Sequence, residues 1–222
     1  MKKVVLIAGG TRGIGKYLAK GLREDFLVGV CGRTAKRENS DGFFACKCDL
    51  TKRRDIRAFV STALDKFLRL DTVIYNAGLM LYDDLLCVNE SDLDATYKVI
   101  VKGYLFLCQE ILPVMRKQRA GHIINISSTR GITAAAGKGV YSAMKRAAAS
   151  LTDSVRLENA IYGIKATSVH FGIVDTESSQ EKYGDDLQKM NPISLECVLK
   201  TIKFLLSVEG ERVTSLIVGG RL

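Results

Sequence analysis

With 222 residues, 47% of them hydrophobic, two prolines and no low-complexity linker, the chain reads as one domain, 1–222, with a sizeable core. No stretch approaches membrane-spanning length, and six scattered cysteines without a secretory signal read as reduced thiols of a cytoplasmic protein. The net charge of +9 admits nucleic acid, a membrane surface or a phosphorylated small molecule as partner; the sharpest basic cluster, Lys52, Arg53 and Arg54, lacks interleaved aromatics and reads as a solvated face, which argues against nucleic acid.

Residues 3–8 are an apolar run that predicts a buried first strand. GGTRGIG follows at 9–15, and a helical pattern runs from Ile14 to Leu22. Strand, glycine turn and helix form the first half of a nucleotide-binding unit. Gly9, Gly13 and Gly15 leave room for backbone to approach a pyrophosphate, and the free N–H groups of the helix start would face the anion. A purely structural tight turn is the competing reading.

A second strand lies near 28–31 and ends in Gly32, Arg33 and Thr34. A site for NAD would place a carboxylate there to take the ribose hydroxyls. Here no acid occurs, and Arg33, with Arg12 in the glycine turn, offers two guanidinium groups suited to the extra phosphate of NADP. Surface arginines without a ligand are the alternative. A third strand at 43–48 is closed by Asp49 and Leu50; Asp49 is placed to meet an adenine edge or to cap the helix that follows, near 52–69. A fourth strand, Thr72–Tyr75, ends in Asn76, Ala77 and Gly78, small residues beside which a cofactor can pass. One long helix is predicted over 92–117, and a fifth strand over 122–126.

The stretch SSTRGITAAAGKGVYSAMK, 127–145, opens with two serines at that strand's end. It closes with Tyr141 and Lys145, which a helix puts on one face, one turn apart. An ammonium beside a phenol favours the phenolate and predicts a Tyr141 pKa below its reference of about 10. A serine hydroxyl from the strand would bind a carbonyl oxygen held between them. Taken alone, a tyrosine four residues before a lysine is also what a plain surface helix carries. A sixth strand at 165–170 leads into Phe171, Gly172, Ile173, Val174, Asp175 and Thr176. The polar segment 177–192 has few core residues and reads as a mobile substrate flap; a helix at 194–207 and a strand at 215–218 complete the chain. The two histidines, His122 and His170, read as structural. Strands alternating with helices predict an α/β, Rossmann-like doubly wound parallel sheet of about seven strands with helices on both faces.

Assembled, these motifs resemble the short-chain dehydrogenase/reductase family over essentially the whole chain. The matched positions are Gly9, Gly13 and Gly15; Asn76, Ala77 and Gly78; Ser128, Tyr141 and Lys145; and Gly172 and Thr176. The resemblance implies catalysis by Ser128, Tyr141 and Lys145. It implies an NADP(H) site drawn from Gly9, Thr11, Arg12, Gly13, Ile14, Gly15, Arg33, Thr34, Asp49, Leu50, Asn76, Ala77, Gly78, Tyr141, Lys145, Gly172, Ile173, Val174 and Thr176. It also implies a small carbonyl or alcohol substrate, no metal, and a homodimer or homotetramer. Three positions depart from the family pattern: Ala8 for threonine, Phe171 for proline, and Ile100 for an asparagine that holds a water in the proton relay. An NADPH-dependent oxidoreductase is the resulting expectation; Ile100 keeps open an NADP(H)-binding sensor or scaffold with weak or lost catalysis.

Overall fold

The computed structural model describes residues 2–208 and 212–219. Its spine is strand β1, Val4–Ala8, whose five residues are all buried. An unbroken VVLIA run has no polar face to offer water, so it belongs in the middle of a sheet covered on both sides. β1 pairs in parallel with β2, Leu27–Gly32, on one edge and with β5, Thr72–Tyr75, on the other. Outward from β2 come β4, Phe43–Lys47, and β3, Glu38–Ser40; outward from β5 come β6, Gly121–Ser128, β7, Ile164–Phe171, and β8, Ser215–Val218. The sheet order is β3-β4-β2-β1-β5-β6-β7-β8.

The predicted architecture holds, with eight strands where about seven were expected. The additional strand is β3, which is fully exposed, pairs antiparallel with β4 and has the sequence ENS. Its backbone pairing leaves no apolar alternation in the sequence to read.

Side chains alternate across β1. Leu6 enters a core with Ile56, Phe59, Tyr104, Leu107 and Met115, under helices α2, Arg53–Phe67, and α4, Gly103–Gln118. Val5 and Ile7 enter the other, with Leu18, Leu22, Val198 and Ile202 of α1, Gly13–Leu22, and α8, Leu195–Ser207. This two-sided burial fixes the strand register, because a slip of one residue exchanges the two faces.

The helix expected over 92–117 divides. Helix α3, Glu90–Tyr97, starts two residues earlier than the prediction, where Asn89 Oδ1 accepts the Asp92 N–H at 2.9 Å. A π-helical turn, Lys98–Lys102, then separates it from α4. Two contacts accompany that turn: the buried Tyr75 hydroxyl donates to the Val99 carbonyl, and Gly103 packs so closely that a Cβ would lie 2.5 Å from the Leu50 carbonyl oxygen. A side chain that takes a helix carbonyl is a common origin of such insertions.

The segment 177–192 is more structured than its polarity suggests. It contains helices α6, Glu177–Tyr183, and α7, Asp186–Lys189, pinned by buried Ser179 and Leu187. Thr176 caps α6, its Oγ1 accepting from the Ser179 N–H at 3.3 Å. Helix α5, Gly139–Asn159, packs along β6 and β7.

Candidate active site

From β1 the chain goes one way across the sheet to β2 and later the other way to β5. The loops leaving β1 and β5 therefore diverge and leave a crevice at the carboxyl ends, the usual ligand position in such sheets. Gly9 and Asn76 form its floor. Gly9 has φ +87°, and a Cβ there would meet the Ala77 nitrogen at 2.9 Å. Asn76 Nδ2 donates to the Gly9 carbonyl at 2.8 Å.

Gly13, at φ +49°, has only Thr176 within 4 Å of a notional Cβ, the nearest atom being 3.7 Å away. It is the glycine that opens on the crevice. Gly15 instead is buried, and a Cβ there would overlap the Gly9 carbonyl. The N-cap residue of α1, Arg12, makes no side-chain cap, and the first turn has no acid. The helix start thus presents free N–H groups to an anion. This cradle fits a dinucleotide phosphate.

A cavity of about 500 Å³ is lined by Gly9, Thr11, Arg12, Arg33, Asp49 and Leu50, with Asn76, Ala77 and Gly78 on its far side. The end of β2 carries exposed Arg33 and no carboxylate, as the sequence has it. Thr34 does not line this cavity; its hydroxyl donates to Thr11 Oγ1 at 3.3 Å and steadies that residue. Asp49 does not cap α2. Its Oδ1 accepts from the Thr51 N–H at 3.0 Å and the Thr51 hydroxyl at 2.8 Å. Burial works to raise the Asp49 carboxyl, but the Thr51 bonds, Lys52 and Arg33 outweigh it and hold the group below its ordinary value.

A second cavity, of about 390 Å³, shares Arg12, Asn76, Gly78 and Leu79 with the first, so the two form one groove. Its lining brings Ser128, Tyr141 and Lys145 together with Gly13, Ile14, Gly172, Ile173, Val174 and Thr176. Of the residues predicted for the site, Gly15 and Thr34 alone stand behind the groove rather than on its surface.

Lys145 is buried and donates to the Ile126 carbonyl at 2.8 Å. Its ammonium borders Gly78, where a Cβ would lie 3.6 Å from Nζ, and so sits at the junction of the two cavities. Burial pushes the Lys145 pKa down to about 8. Tyr141 does not follow the sequence expectation. Burial pushes its phenol up to about 12, with Ser128 as the hydrogen-bonding neighbour that pulls it back. The correction has a physical origin: Lys145 Nζ lies 5.9 Å from the Tyr141 ring centre, turned toward Ile126, while the phenol is only 8% exposed. Desolvation of the phenolate then exceeds the help of a cation at that range.

The three departures from the family pattern are all apolar and buried. Ala8 ends β1, and Phe171 ends β7 and lines the second cavity. Ile100 lies in the π turn, 1% exposed, within the core under α4; its neighbours Lys98 and Val99 reach the groove, and it does not. Both histidines are held structurally: His122 Nε2 is 2.8 Å from Thr167 Oγ1, and His170 Nδ1 is 3.1 Å from the Ser128 carbonyl.

Sequence reasoning missed the outer wall. Tyr82 meets Tyr141 edge-on, ring centres 5.6 Å apart and planes at 86°. Lys138, Lys182 and Tyr183 gather on the same ring. These residues come from a loop, the residue before α5 and the end of α6, and no periodicity links them. The one available signal was Lys138, three residues before Tyr141.

A family model described as short chain dehydrogenase matches residues 3–186. An uncharacterized oxidoreductase of Staphylococcus saprophyticus is 31% identical over 221 residues, covering 92% of this chain and 90% of its own. Among solved structures, ElxO with NADP bound has a TM-score of 0.87 at 28% identity, covering 98% of this chain and 97% of its own. A tyrosine-to-phenylalanine variant of ElxO with NADPH bound has a TM-score of 0.88 at 28% identity and the same coverage. The groove at the sheet's switch point and these matches agree, and this chain belongs to the short-chain dehydrogenase family of oxidoreductases.

Proposed function

We propose that residues 1–222 act as one NADPH-dependent domain that reduces a carbonyl compound to an alcohol, reversibly. The observation that carries this reading is the meeting of Ser128, Tyr141 and Lys145 on one wall of a groove whose other end is the glycine turn. NADPH, when bound, supplies the hydride.

The chain's own residues supply the rest. The α1 N-terminus and the Gly13 turn receive the pyrophosphate, and Arg12 and Arg33 flank the adenosine end, where a 2′-phosphate is favoured over free ribose hydroxyls. Lys145 has two N–H groups left after its bond to Ile126, and it directs them toward the nicotinamide ribose. Ser128 donates to the substrate's carbonyl oxygen and orients it. Tyr141, protonated at neutral pH as any phenol is and held more firmly so by burial, transfers that proton to the same oxygen as the carbon–hydrogen bond forms. Hydrogen-bond donors fixed before reaction stabilise the growing alkoxide.

Helices α4 and α5 leave Leu105 and Leu157 exposed on their outer sides, and Ile161 follows α5, which supports a homodimer or homotetramer. Among the described residues no helix is long and apolar enough to cross a membrane.

The test is a titration of the purified protein with NADPH and NADH, followed by NADPH oxidation across ketones, aldehydes and quinones. The reading requires tighter binding of NADPH, and an Arg12→Gln/Arg33→Gln variant that loses that preference. NADPH binding without oxidation of any compound would favour the sensor reading that Ile100 raises.

A further inference from the structure

Around Tyr82 the groove carries positive charge with no acid to answer it. Lys182 Nζ lies 3.6 Å from the Tyr82 ring centre and Lys138 Nζ 4.7 Å from it. Two ammonium groups held at one ring repel each other, and cation–π attraction offsets only part of that. Arg130, half-buried in the same wall, acts on the same phenol: burial and the neighbouring Tyr141 and Tyr183 push Tyr82 up, and Arg130 works against them.

Of the carboxylates nearest in sequence, Glu177, Glu181 and Asp185 are exposed and lie outside the cavity lining, and the others are engaged elsewhere. Asp83 and Asp84 accept backbone N–H groups from Asp84 and Leu86, and Asp175 accepts from Gln180. No aspartate or glutamate lines this cavity. Among the described residues the ion pairs use other lysines and arginines. The wall also holds a buried donor, Tyr183 Oη, which makes no hydrogen bond of good geometry and has the Tyr82 phenol as its polar neighbour.

A solvated face would send its lysines apart into water. Here two cations from separate elements converge on a ring that itself touches Tyr141, and a third, Arg130, stands in the same cavity wall. We propose that Arg130, Lys138 and Lys182, with the Tyr183 hydroxyl, form an oxyanion subsite, and that the substrate is a carbonyl compound bearing a carboxylate or phosphate a few bonds from the reducible carbon. This rests on the reductase reading above. The short step from the Tyr141 ring to the Tyr82 ring sets the spacing: the anion would lie over Tyr82 while the carbonyl meets Tyr141 and Ser128. The Lys–Tyr82 contacts hold the cations in place before the anion arrives, so less side-chain freedom is lost on binding.

The experiment compares charged and neutral partners in NADPH oxidation. Levulinate and its two next longer homologues are each set against their methyl esters, and dihydroxyacetone phosphate against dihydroxyacetone. In at least one series the charged compound should have kcat/KM higher by about tenfold or more, as a charge-assisted contact gives. Added salt should shrink that ratio. In Lys138→Met/Lys182→Met the ratio should fall toward one; Lys182→Gln, at an exposed position, should lower it in part and serves if the double variant does not fold.

Equal turnover of charged and neutral partners overturns the subsite and leaves the reductase standing. If none of these compounds is reduced, calorimetric titration of levulinate and of dihydroxyacetone phosphate into the protein with NADP+ decides the matter separately. Binding lost in the lysine variants keeps the subsite and removes the reductase; no binding removes the subsite.

Discussion

Tyr141→Phe deletes one oxygen from a buried ring. The edge contact with Tyr82 at 5.6 Å is between rings and survives, as does the burial that leaves the residue 8% exposed. What goes is the hydrogen bond that Ser128 offers the phenol. Loss of one such bond, with both partners at a wet cavity wall, costs about 1 kcal/mol or less, so the melting temperature should move by only a few degrees. Catalysis should respond on another scale. With its pKa pushed up to about 12, the phenol is protonated at neutral pH and serves as donor. Removing a positioned general acid lowers the rate by about a hundred to ten-thousandfold. NADPH affinity should stay within about twofold, because the proposed dinucleotide contacts are those of the glycine turn, the arginines and Lys145. The assay pairs NADPH oxidation under saturating substrate with a fluorescence titration of NADPH. A variant that binds NADPH normally and keeps more than about a tenth of wild-type turnover would refute the assignment of Tyr141 as proton donor.

Ile100→Asn should cost about 3 kcal/mol or more in urea unfolding, since it replaces a buried aliphatic chain with an amide, and kcat should not rise, because position 100 faces the core. A faster variant would mean that the position does serve the proton relay. His122 predicts an acid limb to stability. Burial, then Lys165, pushes its pKa down to about 3 from 6.5, so the folded state resists a proton that the unfolded chain accepts. That contribution, on the order of a few kcal/mol, is full above pH 6.5 and is lost as pH falls toward 3. Urea titrations of wild type and His122→Gln across that range should diverge in slope, and parallel curves would contradict the assignment. Lys145, lowered to about 8 from 10.5, predicts that the reductive kcat/KM falls as pH rises through 8, where the buried ammonium discharges. A rate that climbs from pH 7 to 9 would show that its charge is not needed.

The sequence was most informative where burial is two-sided. The runs in β1, β5 and β6 could only be central strands, and strands of that kind end at the crevice, so the motifs behind them fell into place with them. It was silent where structure rests on backbone. β3 has no apolar residue, and the π turn answers to the Tyr75 hydroxyl and to the tight fit of the adjacent Gly103 against the Leu50 carbonyl, both partners distant from it in sequence. In the site, spacing put Tyr141 and Lys145 on one helix face but left open where the lysine's protons point. Its bond to Ile126 and the burial of the phenol reverse the expected direction of the tyrosine shift. The Tyr82 wall was illegible because its members share a place in space and no pattern along the chain.

Gly9, Gly15 and Asn76 interlock: one carbonyl oxygen, that of Gly9, is gripped by the Asn76 amide while the bare α-carbon of Gly15 rests against it. An engineer wishing to exchange one dinucleotide for another therefore has no latitude in that knot, where any added carbon collides. Latitude lies at the rim, with Arg12 and Arg33, whose side chains can be exchanged without disturbing the knot beneath them.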